Sequence, residues 1–236
     1  QADAILVPSE ATKADLVALL NVPAEKVTTH MLGVHEMFHP VSPETVATIR
    51  ARYNLPADYL LFVGTFEPRK NLPGLFAAYA LLRKELPDVP PLVLVGRKGW
   101  LMDEINATVE QHRLGDALRW IEDAPRTDLP ALYAGARLLA APSHYEGFGL
   151  TVVEAMACGT PPVISNRASL PEVAGDAALQ IDPDEPAALA DALRALLTDD
   201  ALHAELRARG LARAETFTWE RTAAAVLDVY RKVAAL

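Results

Sequence analysis

The sequence predicts an α/β fold, in which helices cover both faces of a doubly wound parallel sheet of the Rossmann type. Short apolar runs alternate with longer helical stretches along the whole chain. Most runs are continuously apolar, which is typical of strands that are buried on both faces. Gly, Pro or Ser ends each strand before the next helix begins, as in βαβ units. In such folds ligands bind beyond the carboxyl ends of the strands.

The elements follow from length and composition, since strands are short and aliphatic and helices are longer and amphipathic. The predicted strands are residues 4–7, 27–31, 59–63, 92–95, 118–121, 138–141, 162–165 and 178–181. The predicted helices are residues 10–20, 43–53, 72–86, 101–113, 129–134, 150–158, 186–197, 199–213 and 220–236.

Composition and charge exclude several classes of protein. A chain of 236 residues with 51% hydrophobic and 22% charged residues can bury a sizeable core and is not disordered. No apolar run approaches the roughly 20 residues of a membrane-spanning helix. The net charge of -9 argues against nucleic acid and anionic membranes, because both need a basic surface. The positive charge that an anionic ligand needs must therefore be local.

The single cysteine, Cys158, excludes an intramolecular disulfide and a multi-cysteine metal site, and it is typical of a reducing compartment. We expect a cytoplasmic protein, since no signal peptide pattern is visible. The chain begins at Gln1 rather than Met and enters a strand pattern almost at once, which suggests a piece of a longer protein. A boundary is predicted near residues 33–43, because the β-α-β unit before it is too small to bury a core.

Two adjacent cations, Arg69 and Lys70, follow the strand that ends at Gly64 and Thr65, and a helix comes next. A guanidinium and an ammonium beside a helix N-terminus can bind an anion. The alternative is a solvated turn whose charges merely flank the helix, and the motif alone favours neither.

A glycine-rich segment that begins at His144 follows the predicted strand at 138–141 and leads into a helix. Gly147 and Gly149 permit close approach of a ligand to the backbone. The first helical turn from Leu150 offers unpaired N–H groups, for which phosphate is a natural ligand. The histidine is either a ligand contact or a cleft residue without chemistry.

Two carboxylates flank these glycines. Glu146 lies at the mouth of the predicted anion site, and Glu154 lies in the second turn of a nearly apolar helix. A buried carboxylate without a partner is costly, so Glu154 needs either the vicinal diol of a ribose, which we favour, or an internal Arg. Glycosidases place two carboxylates on either side of one bond, and a binding role suits this spacing better.

Two further groups of polar residues give weaker signals. Gly96, Arg97 and Lys98 end another strand, where they could contact a nucleotide or simply cap the sheet. No metal site is predicted, because the six histidines are scattered. Asp182 and Asp184 are interpreted as a turn and a helix cap.

The segments 142–164 and 170–178 resemble the donor half of retaining group 1 glycosyltransferases, which are family 4 transferases of the GT-B fold. Several motifs carry the resemblance. They are the Glu146-to-Glu154 spacing, the Phe-Gly-Leu at the helix start, the Glu-Pro-Arg-Lys-Asn of 67–71, the Leu-Pro-x-Leu-Tyr of 129–133 and the terminal Phe-Thr-Trp.

The resemblance implies that the chain is the C-terminal half of a GT-B fold. Residues 1–40 would be the end of the acceptor domain with the hinge, 41–215 the donor-binding domain, and 216–236 a C-terminal amphipathic helix. The donor would be a GDP- or UDP-sugar, with no cofactor and no metal. The acceptor would be a glycan or a lipid-linked sugar, bound through an N-terminal domain. The protein would be cytoplasmic or peripheral at the inner face of the membrane.

The resemblance also implies a role for each site residue. Glu146, Lys70 and Arg69 would act on the sugar and the diphosphate, and Glu154 would bind the ribose. The other donor-binding residues would be Gly64, Thr65, His144, Gly147, Phe148, Gly149, Leu150 and Thr151. Many relatives carry Arg directly after the glycine that ends the first strand, where this chain has Thr65, so Arg69 would supply that charge.

The expected function is transfer of a hexose, with mannose suggested by the Glu-Pro-Arg-Lys-Asn motif, although this chain alone would bind the donor without transferring it. A GT-B nucleotide-sugar epimerase or hydrolase is one alternative. A non-catalytic module that binds nucleotide sugars is the other.

Overall fold

The computed structural model describes residues 2–100 and 102–235. Strands and α-helices alternate through most of the described part of the chain, which ends in three consecutive α-helices. In order they are β1 (Ile5–Val7), α1 (Glu10–Leu20), β2 (Val27–Thr29), α2 (Pro43–Arg52), β3 (Leu60–Val63), α3 (Leu72–Glu85), β4 (Leu92–Val95), α4 (Met102–Gln111), β5 (Leu118–Ile121), α5 (Leu129–Ala134), β6 (Leu138–Ala141), α6 (Leu150–Ala157), β7 (Pro162–Ser165), α7 (Leu170–Ala174), β8 (Leu179–Ile181), α8 (Pro186–Thr198), α9 (Asp200–Ala214) and α10 (Trp219–Ala234).

The predicted fold class is confirmed. Strands β3 to β8 form a parallel six-stranded sheet in the order β5-β4-β3-β6-β7-β8, while β1 and β2 form a separate parallel pair. The strand order reverses between β3 and β6. In open α/β sheets this reversal leaves a crevice at the carboxyl ends of the two strands, where ligands bind.

Each predicted strand and helix is present, with ends within about two residues of the prediction. The sequence does not predict α7, because its five residues, with a proline in the first turn, are too few to show a helical period. Three residues lie outside the described ranges, namely Gln1, Leu101 and Leu236. Leu101 is the predicted first residue of one helix, and Leu236 is the predicted last residue of another.

The core consists of two apolar layers, one on each face of the six-stranded sheet. Leu60 and Phe62 of β3 pack in one layer with α3 and α8, whereas Leu61 packs in the other with α5, α6 and α7. Adjacent strand residues point to opposite faces, so a strand covered on both sides is apolar throughout. No helix in the described ranges is long and apolar enough to cross a bilayer.

Two glycines bring the ends of β3 and β4 together. Gly64 has φ +152° and Gly96 has φ +155°, a region that favours glycine. A Cβ on Gly96 would lie only 1.9 Å from the carbonyl oxygen of Gly64. Glycine at position 96 is therefore required for this close approach of two backbones.

We expect Gly96→Ala to lower the free energy of unfolding by about 2 to 4 kcal/mol, because the methyl group clashes with backbone and φ is unfavourable for alanine. Denaturant unfolding followed by circular dichroism measures this. Gly115→Ala is the matched control, since a Cβ there meets nothing within 4 Å. Equal stability of the two variants would contradict the close approach.

Candidate active site

Two loops meet where the strand order reverses. The first follows β3 and contains Arg69, and the second follows β6 and contains His144 and Tyr145. The His144 amide donates to the carbonyl of Arg69 at 2.8 Å, and the Arg69 guanidinium donates to the carbonyl of Tyr145 at 3.1 Å. The structure therefore brings together two motifs that lie more than 70 residues apart in sequence.

Glu146 is the centre of a buried ion cluster. Its Oε1 lies 2.6 Å from Lys70 Nζ, and its Oε2 lies 2.6 Å from Arg69 Nη1. The Ser143 hydroxyl donates to Oε1 at 2.8 Å. Glu146 and Lys70 are each only 8% exposed. Burial by itself would raise the pKa of Glu146, but Lys70, Ser143 and Arg69 outweigh burial and hold that pKa below its usual value.

The two cations face two carboxylates. Arg69 also pairs through Nε with Glu67 at 2.5 Å, so these four side chains have a formal charge of zero. The sequence predicts a local excess of positive charge at this site. These four side chains alone do not supply it. Lys70 donates one of its three protons to Glu146, and two remain for another acceptor.

Backbone amides supply further donors at the start of α6. The amides of residues 147–151 have no protein acceptor among the described residues. Gly149, with φ +104°, precedes the helix and provides no side-chain cap. Free amides at a helix N-terminus carry partial positive charge and bind anions. This agrees with the first-turn donors predicted from the sequence.

The other predicted site residues lie around this edge of the sheet. Phe148 is buried against Phe217, so only its backbone is available to a ligand. Thr65 and Leu150 are exposed, and Thr151 is half-buried.

Glu154 differs from Glu146 in having no ion-pair partner within the described residues. The hydroxyl of Tyr133 donates to Oε2 of Glu154 at 2.9 Å. Burial raises the pKa of Glu154, and the Tyr133 hydrogen bond and the charge of Arg126 only partly oppose it. The internal Arg considered from the sequence is thus replaced by a tyrosine, which sequence spacing did not indicate.

A pocket of about 530 Å³ opens at the carboxyl ends of β3, β4 and β5. This volume is within the range of small-molecule sites. Its polar lining includes Gly64, Thr65, Gly96, Arg97, Asp123 and Arg126. Arg97 pairs with Asp123 at 2.8 Å, and Lys98 pairs with Glu122 at 2.6 Å, both in contact with solvent.

A group of charged residues lies on the other side of the crevice. Arg167 pairs with Asp182 at 2.8 Å and with Asp184 at 2.5 Å, and His144 Nδ1 lies 3.5 Å from Asp184. Asp182 accepts from the amide of Asp184, which confirms the predicted turn. The predicted cap is wrong, because Glu185 precedes α8 and makes no side-chain cap. No group of metal-ligating side chains occurs in the described ranges.

Replacing Glu154 tests the cost of its unpaired charge. Because the folded-state pKa is raised from its ordinary 4.5, ionisation at neutral pH lowers stability, and this cost disappears as pH falls toward 4.5. We expect Glu154→Gln to raise the free energy of unfolding at pH 7.5 by up to about 1 kcal/mol, and the gain to shrink by pH 5. Urea unfolding across this range measures it, with the exposed Glu110→Gln as control. A clear loss of stability at pH 7.5 would show that the charge is needed for folding.

Comparisons with known proteins agree with this architecture. A family model described as "Glycosyl transferases group 1" matches residues 47–213. O-antigen chain mannosyltransferase B of Escherichia coli is 40% identical over 228 residues, which are 96% of this chain and 60% of that protein. D-inositol 3-phosphate glycosyltransferase of Kineococcus radiotolerans is 34% identical over 250 residues, with 98% of this chain and 57% of the relative covered.

The solved structure of sucrose-phosphate synthase from Thermosynechococcus elongatus superposes with a TM-score of 0.86 at 31% identity, over 100% of this chain and 59% of that one. The chain thus spans about 60% of the length of such relatives. Its fold is the Rossmann-like one of GT-B glycosyltransferases, and the chain belongs to the group 1 glycosyltransferase family.

Proposed function

We propose that this chain binds a nucleotide sugar, GDP-mannose, and forms the donor side of a retaining mannosyltransferase. The observation that carries the proposal is the buried Glu146 carboxylate held by Lys70 and Arg69, directly before the free amides of α6. Residues 1–40 would end the acceptor domain, and residues 41–215 would hold the donor.

The diphosphate of the donor would lie between the cations and the start of α6. The two remaining protons of Lys70 and the amides of residues 147–151 would be the donors to this anion. During transfer the bond between sugar and phosphate breaks, and negative charge grows on the departing diphosphate. Donors fixed in place stabilise that charge more in the transition state than in the ground state.

Glu146 would contact the sugar. An ionised carboxylate accepts hydrogen bonds only, which suits sugar hydroxyls. A bare carboxylate next to a diphosphate would repel it, but the ion pairs with Lys70 and Arg69 cancel that repulsion. Because these pairs lower its pKa, Glu146 stays ionised and is a poor proton donor, which argues against a glycosidase-like acid role.

The nucleoside would occupy the pocket at the ends of β3, β4 and β5. Glu154 would accept from the two ribose hydroxyls while Tyr133 holds its other oxygen. Such bonds would stabilise the ionised form that burial disfavours in the free protein. The choice of mannose follows the name of the 40% identical relative, that of guanine follows the resemblance of the 67–71 motif to mannosyltransferases, and a UDP-sugar is the alternative.

The acceptor would be a glycan or a lipid-linked sugar, as the resemblance implies, and retention of the anomeric configuration is proposed on the same ground. Transfer would need both domains, so this chain alone is expected to bind the donor without turnover. We place the reaction in the cytoplasm or at the inner face of the membrane.

Calorimetric titration with GDP, GDP-mannose and UDP tests the proposal. We expect the guanine nucleotides to bind at micromolar to millimolar concentration and UDP to bind more weakly. Lys70→Met should weaken GDP binding by roughly 10- to 100-fold, because a charge-assisted hydrogen bond contributes on the order of 1.5 to 3 kcal/mol. Lys84→Met, an exposed lysine at the end of α3, should leave affinity unchanged.

Two results would contradict the proposal. Absence of binding by all three ligands at millimolar concentration would exclude a nucleotide-sugar site. A Lys70→Met variant with lowered stability but unchanged affinity would mean that the cluster around Glu146 serves folding only.

A further inference from the structure

The glycine loop, residues 146–149, has three successive carbonyl groups that accept hydrogen bonds from side-chain hydroxyls. Ser169 Oγ lies 2.8 Å from the carbonyl oxygens on either side of Gly147. The Gly147 carbonyl between them lies 2.8 Å from Ser9 Oγ and 3.2 Å from Thr12 Oγ1. The middle carbonyl is therefore held by the start of α1, which lies outside the six-stranded sheet.

Two further contacts fix α1 against the same region. Glu172 of α7 accepts from the amides of Glu10 and Ala11, each at 3.0 Å, through separate carboxylate oxygens. These amides are free at a helix start, where a negative charge is also favourable. Tyr145, directly before the glycine loop, donates its hydroxyl to Asp15 of α1 at 2.7 Å. The hydrogen bonds to Glu10, Ala11 and Asp15 thus fix the first half of α1 against the glycine loop and its neighbours.

Gly147 cannot fix the orientation of its own peptide group. Gly147 has no side chain to restrain its backbone, and a Cβ built there would meet nothing within 4 Å. The peptide that joins Gly147 to Phe148 is planar and trans, so the Gly147 carbonyl and the Phe148 N–H point in opposite directions. Whatever holds the carbonyl also determines the direction of that N–H, which has no protein acceptor among the described residues.

We propose that Ser9 and Thr12 are positioning residues for the donor site, which they serve by setting the orientation of the Gly147–Phe148 peptide. The two hydroxyls hold the Gly147 carbonyl oxygen, which carries partial negative charge, away from the anion. The N–H of Phe148 then remains available to donate to the anion. Ser9 is fully buried, so its hydroxyl has no solvent alternative to these partners. The identity of the anion rests on the proposed function, whereas the orientation of the peptide does not.

This contact joins the two parts of the chain that the resemblance separates. Ser9 and Thr12 lie in the segment assigned to the acceptor domain, and Gly147 lies at the donor site. Movement of the acceptor side away from the donor side would therefore release the Gly147 carbonyl and alter the donor loop.

The test uses variants that remove one hydroxyl at a time. Ser9→Ala and Thr12→Val remove a donor to Gly147, while Thr12→Ser retains it. Ser42→Ala is the matched control, because Ser42 caps α2 as Ser9 caps α1, with its oxygen accepting from the residue three positions on. Loss of a cap costs about 1 kcal/mol in either helix. Only the cap of α1 touches the glycine loop.

Nuclear magnetic resonance of the Gly147 carbonyl carbon and the Phe148 amide, without ligand, senses both the hydrogen bonds to this carbonyl and the orientation of the peptide. We expect both resonances to move in Ser9→Ala and Thr12→Val and to stay in Thr12→Ser and Ser42→Ala. GDP affinity should fall roughly three- to tenfold in the first two variants only, as expected for one hydrogen bond.

Unchanged Gly147 and Phe148 resonances in Ser9→Ala would overturn the proposal. So would moved resonances with the same GDP affinity as Ser42→Ala, because the orientation would then have no effect on binding. If the unaltered chain binds no nucleotide, the proposed function fails, and the resonances still decide whether Ser9 and Thr12 orient the peptide.

Discussion

The buried carboxylate of Glu146 is the constraint on which the rest of the site depends. An ionised group that is 8% exposed is stable only if the protein supplies opposite charge and hydrogen bonds. Lys70 and Arg69 come from the loop after β3, whereas the carboxylate comes from the loop after β6. Satisfying this charge therefore holds together the two loops that border the crevice.

The topology of the sheet explains why these loops can meet at all. Strands β3 and β6 are neighbours although β4 and β5 lie between them in sequence, so their carboxyl ends diverge into a crevice. Gly64 and Gly96 allow the ends of β3 and β4 to approach closely beside it, since both have positive φ and a Cβ on Gly96 would clash with the Gly64 carbonyl. The positive end of α6 faces the same edge. Sheet order, glycine positions and ion pairs thus together determine the structure at the carboxyl ends of β3, β4 and β6.

The sequence predicts the local parts of this architecture well and the long-range parts poorly. Continuous apolar runs identify the central strands β3, β4 and β6 because both faces of the sheet are covered there, whereas the edge strands β5 and β8 contain the exposed residues Arg119 and Gln180. The cap assigned to Asp182 and Asp184 is wrong because Arg167, from the end of β7, pairs with both carboxylates. The partner of Glu154 is a tyrosine 21 residues away, and the contact of Ser9 with Gly147 spans 138 residues. Periodicity and spacing carry no information about such pairs. A serine is also too common in loops and helix caps for its residue type to indicate a long-range contact.

Glu146 and Glu154 differ in the partners that the protein provides for their charge. Glu146 is buried and Glu154 is half-buried, yet the pKa of Glu146 is lowered and that of Glu154 is raised. Burial penalises both, and Lys70, Ser143 and Arg69 outweigh it at Glu146, whereas Tyr133 and Arg126 only partly oppose it at Glu154. A protein gains nothing in stability from leaving Glu154 without an ion-pair partner. The uncompensated carboxylate is retained at a cost to the free fold, and a diol that donates two hydrogen bonds is the kind of ligand that would remove that cost.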